Sequence, residues 1–296
     1  MATMTAVAAL SSGCAVSRKT VVTSSAAPAQ IKNATRDQLV VQYNRLAGSI
    51  TSLNAAVTMK LTAGSAYTGV IEQYHEVNGF ILAQRPSSIR VIGQAPVVGK
   101  NIFDMVSDGE TFQIFIPSKA KFLVGSARLQ RQSAKPIENL RPQHVIDAIL
   151  WSVIPEGNPV LFEQANDASS RYYVLTDIHP SGNGPTGDLG TPSSTEWEIV
   201  RKIWFDRADL NVSRIQIYGP EGKVTSDTHC AGWDMFGAFM YPRQITLSRP
   251  DDDYALQIEI KKLSVNEPIA ADRFVLRQPP GTQLVHVGED LKEQQP

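Results

Sequence analysis

Residues 254–263 read YALQIEIKKL, and this stretch decides the fold class. Leu256, Ile258 and Ile260 stand at every second position, and Gln, Glu and Lys fill the positions between them. Successive side chains of a β-strand point to opposite faces, so one face of this strand is predicted to be dry and the other wet. This is typical of an antiparallel sheet that covers a core on one side only.

Similar short strand-like segments continue along the chain in both directions, separated by Gly, Pro, Asn and Asp. The clearest hairpin is Ser107-Asp108-Gly109 followed by residues 111–117 (TFQIFIP). About ten to eleven such strands make a sheet that is too long to stay flat. The sequence therefore predicts a mainly β (α+β) fold built on one strongly curved, unclosed antiparallel sheet.

Two segments depart from this pattern and predict helices. Residues 37–50 place apolar side chains at helical spacing, with Thr35 as a candidate N-cap. Residues 142–154 do the same, and Pro142 suits the first turn of a helix. Because a curled sheet must cover its apolar concave face with side chains, a helix or a ligand, these helices are expected to form a lid over a hydrophobic cavity.

Composition excludes several classes of protein. The 296 residues are 42% hydrophobic and carry a net charge of -1, so we expect one folded domain, residues 34–288, that is monomeric and binds no nucleic acid. Cys14 and Cys230 are the only cysteines, which makes a disulfide framework improbable. The sequence contains no run of 18 apolar residues, so any membrane contact is expected to come from an anchor or a surface.

The N-terminus resembles the lipobox that ends a bacterial lipoprotein signal peptide. Residues 4–10 (MTAVAAL) are apolar, and small residues lead directly into Cys14. The resemblance implies a signal peptide at residues 1–13, acylation of Cys14, and a flexible tether at residues 14–33 that is rich in Ser, Thr, Ala and Pro. The alternative is a disordered N-terminus with an incidental cysteine. At the other end, residues 289–296 are expected to be a disordered tail.

Three further stretches resemble the LolA/LolB lipoprotein-carrier superfamily. They are LAQRPSSIR at residues 82–90, VSDGETFQIFIPSKAKF at 106–122 and FVLRQPPGTQLV at 274–285. The resemblance implies an unclosed barrel with a helical lid, an acylated lipoprotein or lipid as cargo, and a periplasmic carrier protein as a partner. It also implies that Arg85 binds backbone groups of the lid, for which its several N–H donors are suited. The alternative is a solvated arginine at a strand end.

The resemblance also implies a protruding apolar loop that contacts the membrane. Val97 and Val98, in the segment GQAPVVG, are the first candidates. Phe236 and Phe239, in the apolar segment MFGAFMY at residues 235–241, are the second. For that segment the alternative is a loop folded back over the end of the barrel.

The cavity is expected to be lined by apolar residues from the strands and the second helix. The candidate lining residues are Phe80, Leu82, Phe103, Phe112, Ile114, Ile149, Trp151, Ile215, Ile217, Leu256 and Ile258.

The sequence predicts no catalytic site, metal or cofactor. Asp227, His229 and Cys230 are the only local group that resembles metal ligands, but on a strand Cys230 would point away from the other two. A hydrolase would require Asp227, His229 and a serine to converge.

Together these features predict a lipid-anchored protein on the periplasmic face of the outer membrane that binds acyl chains of lipoproteins or lipids and transfers them. The alternative is an envelope interaction or sensory lipoprotein that uses the same fold without lipid transfer.

Overall fold

The computed structural model describes residues 31–65, 70–127, 139–167, 170–180 and 197–287. Several segments lie outside the described residues: Cys14, the predicted signal peptide, nearly all of the tether, the C-terminal tail, and residues 181–196, which are rich in Gly and Pro. No helix in the described ranges is long and apolar enough to cross a membrane.

One 15-stranded sheet dominates the fold, which confirms the predicted class of a curved, unclosed and mainly antiparallel sheet. The strands are β1 (Ser52–Ser65), β2 (Val70–Gln73), β3 (Val77–Gln84), β4 (Ser88–Gln94), β5 (Asn101–Ser107), β6 (Thr111–Ile116), β7 (Lys121–Ser126), β8 (Val160–Asn166), β9 (Arg171–Pro180), β10 (Trp197–Asp206), β11 (Val212–Tyr218), β12 (Val224–Phe236), β13 (Phe239–Arg249), β14 (Tyr254–Val265) and β15 (Gln283–Val287). Their order in the sheet is β15-β7-β6-β5-β4-β3-β1-β14-β13-β12-β11-β10-β9-β8, with β2 paired to β1 alone. The predicted number of strands was too low.

The alternating segment at residues 254–263 belongs to β14, which lies near the middle of the sheet. Leu256, Ile258 and Ile260 are buried on one face, as predicted. Ile258 pairs with Met59 of β1 on one side and with Ile245 of β13 on the other. A continuous apolar stripe therefore crosses neighbouring strands on this face of the sheet.

The C-terminal strand breaks the antiparallel rule. Ala271–Phe274 is a short 3-10 helix, and the last strand is β15. The strand β15 pairs in parallel with β7, with Val285 opposite Leu123. A parallel pair needs a long crossover connection, and residues 266–282 supply it by carrying the chain from the middle of the sheet to its edge.

Two helices cover the apolar face. The helix α1 (Arg36–Ser49) starts with a capping box, in which the Thr35 side chain accepts from the backbone N–H of Gln38 and the Gln38 side chain accepts from the backbone N–H of Thr35. The helix α2 (Pro142–Ile149) starts at the proline but stops at Ile149 rather than at the predicted Ile154. The residues that follow are not helical, because other parts of the fold bind their carbonyl groups.

The position of α2 shows how strongly the sheet curves. The helix contacts β4 and β5 and also β13. In the strand order, β5 and β13 lie five strand spacings apart, or about 24 Å along a flat sheet at about 4.8 Å per spacing. A helix about 10 Å wide reaches both strands only if the sheet curls around it. The helices therefore occupy the concave face.

Two glycines give a matched test of this packing. A methyl group on Gly79 of β3 would lie 2.2 Å from the carbonyl oxygen of Ile92, whereas one on Gly48 of α1 would meet Val153 at an ordinary 3.5 Å. We expect Gly79→Ala to lower the free energy of unfolding by about 1–3 kcal/mol, because overpacking forces the strands apart. Gly48→Ala should raise it by up to about 1 kcal/mol, because alanine favours a helix. Urea denaturation measures both, and equal effects would contradict the described register.

Candidate functional site

The concave face carries two separate apolar clusters, each beneath one helix. The α2 cluster consists of Ile50, Leu53, Ala55, Val57, Met59, Ile81, Ala83, Ile89, Val91, Met105, Val145, Ile146, Ala148, Ile149, Leu150, Tyr241, Ile245, Leu247, Leu256, Ile258 and Ile260. The α1 cluster consists of Leu39, Tyr43, Ala47, Trp151, Ile154, Tyr173, Leu175, Ile203, Phe205, Val212, Ile215 and Cys230. All of these residues are at most 6% exposed, so helix side chains fill the concave space in this structure.

The predicted lining residues divide between the clusters. Ile149, Leu256 and Ile258 belong to the α2 cluster, against which Phe103 and Ile114 also pack. Trp151 and Ile215 belong to the α1 cluster. Phe112 and Ile217 lie outside both clusters, although strand alternation places them on the same face as Ile114 and Ile215, respectively.

Phe80 and Leu82 were assigned to the wrong face. They alternate along β3 with Ile81 and Ala83, which belong to the α2 cluster, so they point to the convex side. Phe80 is 44% exposed there, whereas Leu82 is buried. A strand with apolar residues on both faces gives no sequence signal for which set is internal.

Arg85, at the turn between β3 and β4, binds the ends of both helical segments. Its Nε donates to the carbonyl of Ile50 at 2.9 Å, and its Nη2 donates to the carbonyls of Ala47 at 2.8 Å and Trp151 at 2.7 Å. The last carbonyls of a helix have no partner within the helix, so a forked donor suits this position. Arg85 therefore joins the end of α1 to the segment that follows α2.

Arg201 of β10 makes a second junction of the same kind, which the sequence reading missed. It donates to the carbonyls of Ser152 and Val153 and to the hydroxyl of Tyr43, and its Nε pairs with Asp177 of β9 at 3.0 Å. The Arg201 and Asp177 side chains are only 10% and 1% exposed. Burial raises the pKa of Tyr43 to about 12, so its hydroxyl stays protonated and donates to the carbonyl of Ser152.

The four residues Trp151–Ile154, here called the strap, are thus held from several sides. Arg85 binds the first carbonyl, and Arg201 binds the next two. Asn44 of α1 binds both the N–H and the carbonyl of Ile154 at 2.8 Å. Side chains therefore replace the hydrogen bonds that a longer α2 would have provided.

The other end of α2 rests on a polar contact. The Nδ1 atom of His144 lies 2.6 Å from the hydroxyl of Tyr254 and 4.0 Å from Asp252. Burial, together with the charges of Arg249 and Arg141, lowers the pKa of His144 to about 3. The imidazole is therefore neutral near pH 7, and its Nδ1 atom shares one hydrogen bond with the hydroxyl of Tyr254.

A polar pocket of about 340 Å³ adjoins Arg85 at the ends of the central strands β1, β3 and β14. It is lined by Thr51, Ser52, Gln84, Arg85, Asn266, Glu267, Pro268 and Ile269. Its lining does not suit an acyl chain, which needs an apolar surface.

The two candidate membrane loops differ in exposure. Val97 and Val98 lie in the connection between β4 and β5 and are 96% and 74% exposed. Phe236 and Phe239 are not in a protruding loop: Phe236 ends β12, Phe239 begins β13, and the two residues pair with each other and pack half-buried against the α2 cluster. This arrangement matches the alternative of a segment folded over the end of the barrel.

The possible chemical group on β12 is occupied by structural contacts. Cys230 belongs to the α1 cluster, and Arg214 and Gln216 bind Asp227. Among the described residues, no cluster of three His, Cys, Asp or Glu could hold a metal ion, and no hydrogen bond joins His229 to a serine.

No protein-family model matches the chain, and no curated protein matches its sequence. Solved structures similar to it include a LolA superfamily protein from Nitrosomonas europaea, with 10% identity and a TM-score of 0.46 over 82% of this chain and 99% of that one. A DUF1329 family protein from Desulfovibrio piger has 11% identity and a TM-score of 0.47 over 80% and 94%. A candidate outer-membrane lipoprotein-sorting domain from Vibrio parahaemolyticus has 9% identity and a TM-score of 0.47 over 79% and 94%.

The contact of His144 predicts a pH dependence of stability. Its pKa is about 3 in the folded protein and about 6.5 when unfolded, so the unfolded state binds the extra proton and stability falls as pH drops below about 6.5. Between pH 7 and pH 5 we expect the wild type to lose about 1–2 kcal/mol more than His144→Gln, which keeps an acceptor for Tyr254. Urea denaturation at both pH values measures this, and parallel losses would contradict a buried neutral His144.

Proposed function

We propose that this protein binds acyl chains of lipids or lipoproteins on the concave face of its sheet, after the covering helices open. The observation that carries the proposal is the way in which the face is closed. The helices α1 and α2 cover two hydrophobic clusters, and Arg85 fastens the ends of both helical segments through three hydrogen bonds to carbonyls.

The chemistry of the clusters sets the class of ligand. Burying methylene groups is worth about 0.8 kcal/mol each, so a long acyl chain could replace the helix side chains that now cover this face. The lining offers little directional hydrogen bonding, so affinity should follow chain length rather than headgroup. Such a site accepts and releases acylated cargo according to the apolar surface that competes for it.

The three hydrogen bonds that Arg85 donates oppose binding, because the closed state must open before an acyl chain can reach the clusters. A ligand that binds only the open state has an apparent affinity reduced by the fraction of molecules that are open. Arg85 stabilises the closed state, so its removal should make binding tighter although it makes the protein less stable.

The test is titration of the purified full chain with a fluorescent fatty acid. We expect the wild type to bind, and Arg85→Met to bind about ten- to a hundredfold more tightly, because the open fraction rises when hydrogen bonds to a charged group are lost. Arg85→Lys, which keeps one donor, should lie between the two.

The matched control is Arg45→Met, which removes an exposed arginine of α1 and should leave the affinity unchanged. Failure of both the wild type and Arg85→Met to bind the fatty acid would refute the proposal.

We further propose that the chain acts at the periplasmic face of the outer membrane, as a tethered acceptor of cargo from a periplasmic carrier. The sequence around Cys14 supports the tether. A tethered protein suits the role of acceptor, since a carrier that crosses the periplasm must be free of the membrane. Val97 and Val98 support a membrane-facing loop, because two such exposed apolar side chains are favourable only against an apolar partner.

Fractionation of cells that express the protein separates these two contributions. Cys14→Ser should move the protein from the membrane to the soluble fraction, because the remaining loop offers too little apolar surface to hold it. Val97→Glu combined with Val98→Glu should leave the protein in the membrane fraction but slow the delivery of a fluorescent acyl chain to liposomes. Continued membrane attachment of Cys14→Ser would contradict the anchor.

The filled interior favours one other function, an envelope interaction or sensory module without lipid transfer. In this structure the side chains of α2 take the place that a ligand would occupy, and Val145, Ile146 and Ile149 are at most 3% exposed. A protein that binds no acyl chain even when Arg85 is replaced would support this alternative.

A further inference from the structure

The two helices are fastened to the sheet in different ways, and this difference identifies which of them a ligand can replace. The helix α1 is tied by polar contacts along its length. Gln42 donates to the carbonyl of Leu210 at 2.7 Å, and the Asn44 side chain binds both the backbone N–H and the carbonyl of Ile154. Its C-terminal end is bound by Arg85 and passes almost directly into β1. The chain leaves α1 little freedom to move away.

The surface of the sheet beneath α1 is also unsuited to an acyl chain. The most deeply buried ion pair in the described part of the chain, Arg201 with Asp177, lies there on the same face as Ile203 and Phe205. Arg201 depends on Tyr43 of α1 and on the strap for its remaining partners. A hydrocarbon chain in place of α1 would leave a buried guanidinium without hydrogen bonds, which is strongly unfavourable.

The surface of the sheet beneath α2 differs from the surface beneath α1. Its buried side chains pack on the α2 cluster, in which every member is hydrophobic. Polar contacts hold it near its ends: Arg141 is buried over the ring of Phe112 and Tyr254 meets His144 at one end, and Tyr241 donates to the carbonyl of Ile149 at the other. Only Leu150 separates α2 from the strap, and the strap is held in place, so it provides a fixed point about which α2 can turn.

We infer that an acyl chain displaces α2 and lies against the strands of the α2 cluster, while α1 stays docked and the strap acts as the hinge. This inference rests on the proposed function and makes it specific. In the closed state the isoleucine and valine side chains of α2 cover the strands against which the acyl chain would lie. The helix α2 therefore competes with the acyl chain for this surface. The ion pair of Arg201 with Asp177 keeps the other half of the concave face closed.

The first test compares one truncation in each helix. Ile149 of α2 and Leu39 of α1 are both buried, at 3% and 0% exposure. We expect Ile149→Ala to bind fluorescent palmitate about tenfold more tightly than the wild type, because it weakens the competing helix. Leu39→Ala should destabilise the protein comparably but leave the affinity unchanged. If Ile149→Ala does not fold, Ile149→Val should show a smaller shift in the same direction.

The second test locates the ligand. Palmitate that carries a photoreactive diazirine is bound to the full-length chain, irradiated, and mapped by mass spectrometry of the peptides. Adducts on β3 to β5, β13 and β14 would support the inference. Adducts on β9 to β11, or tighter binding by Leu39→Ala alone, would overturn it and leave acyl binding intact. The absence of palmitate binding to any variant would instead reject the proposed function itself.

Discussion

The fold depends on guanidinium groups that bind backbone carbonyls at the four-residue strap. A curved sheet with one apolar face must be covered, and here the covering helices end in the middle of the concave face, where their last carbonyls lie away from water. Arg85 comes from the β3–β4 turn and Arg201 from β10, on opposite sides of the sheet's centre. The two arginines meet at consecutive residues of the strap. They join the two halves of the sheet through the segment that links the helices.

This arrangement explains why the concave face is not a uniform core. Beneath α1, a buried ion pair and a tyrosine hydroxyl combine with apolar side chains to form a polar and well-connected junction. Beneath α2, the packing is apolar, with polar contacts near the ends of the helix. Breaking apolar contacts in favour of other apolar contacts costs little, whereas breaking a buried charge network costs a great deal. The inferred displacement of α2 therefore concerns one half of the concave face, whereas the ion pair of Arg201 with Asp177 lies in the other half.

The rest of the molecule fits an acceptor of acyl chains near a membrane. The exposed valines of the β4–β5 connection project from the half of the sheet that α2 covers, and the C-terminal crossover protects the edge of that half by pairing β15 with β7. The opposite edge strand, β8, belongs to the half that α1 covers. The proposed entry of cargo and the proposed contact with the membrane therefore lie on the same half of the protein.

The sequence predicts the class of fold, both helix starts and the inward faces of strands such as β14, because period-two alternation, Thr35 and Pro142 are local signals. It singled out Arg85 only through a family resemblance. It placed Phe80 and Leu82 on the wrong face, because β3 is apolar on both sides and its register is set by its neighbours. Arg201 and Asp177 were not identified from the sequence, because they look like ordinary polar residues of β10 and β9, respectively. Three features arise only in the folded chain: this arginine and aspartate meet beneath α1, α2 ends at Ile149, and the chain returns to pair β15 with β7. Each of these outcomes depends on partners far away in the sequence, and no local pattern encodes such partners.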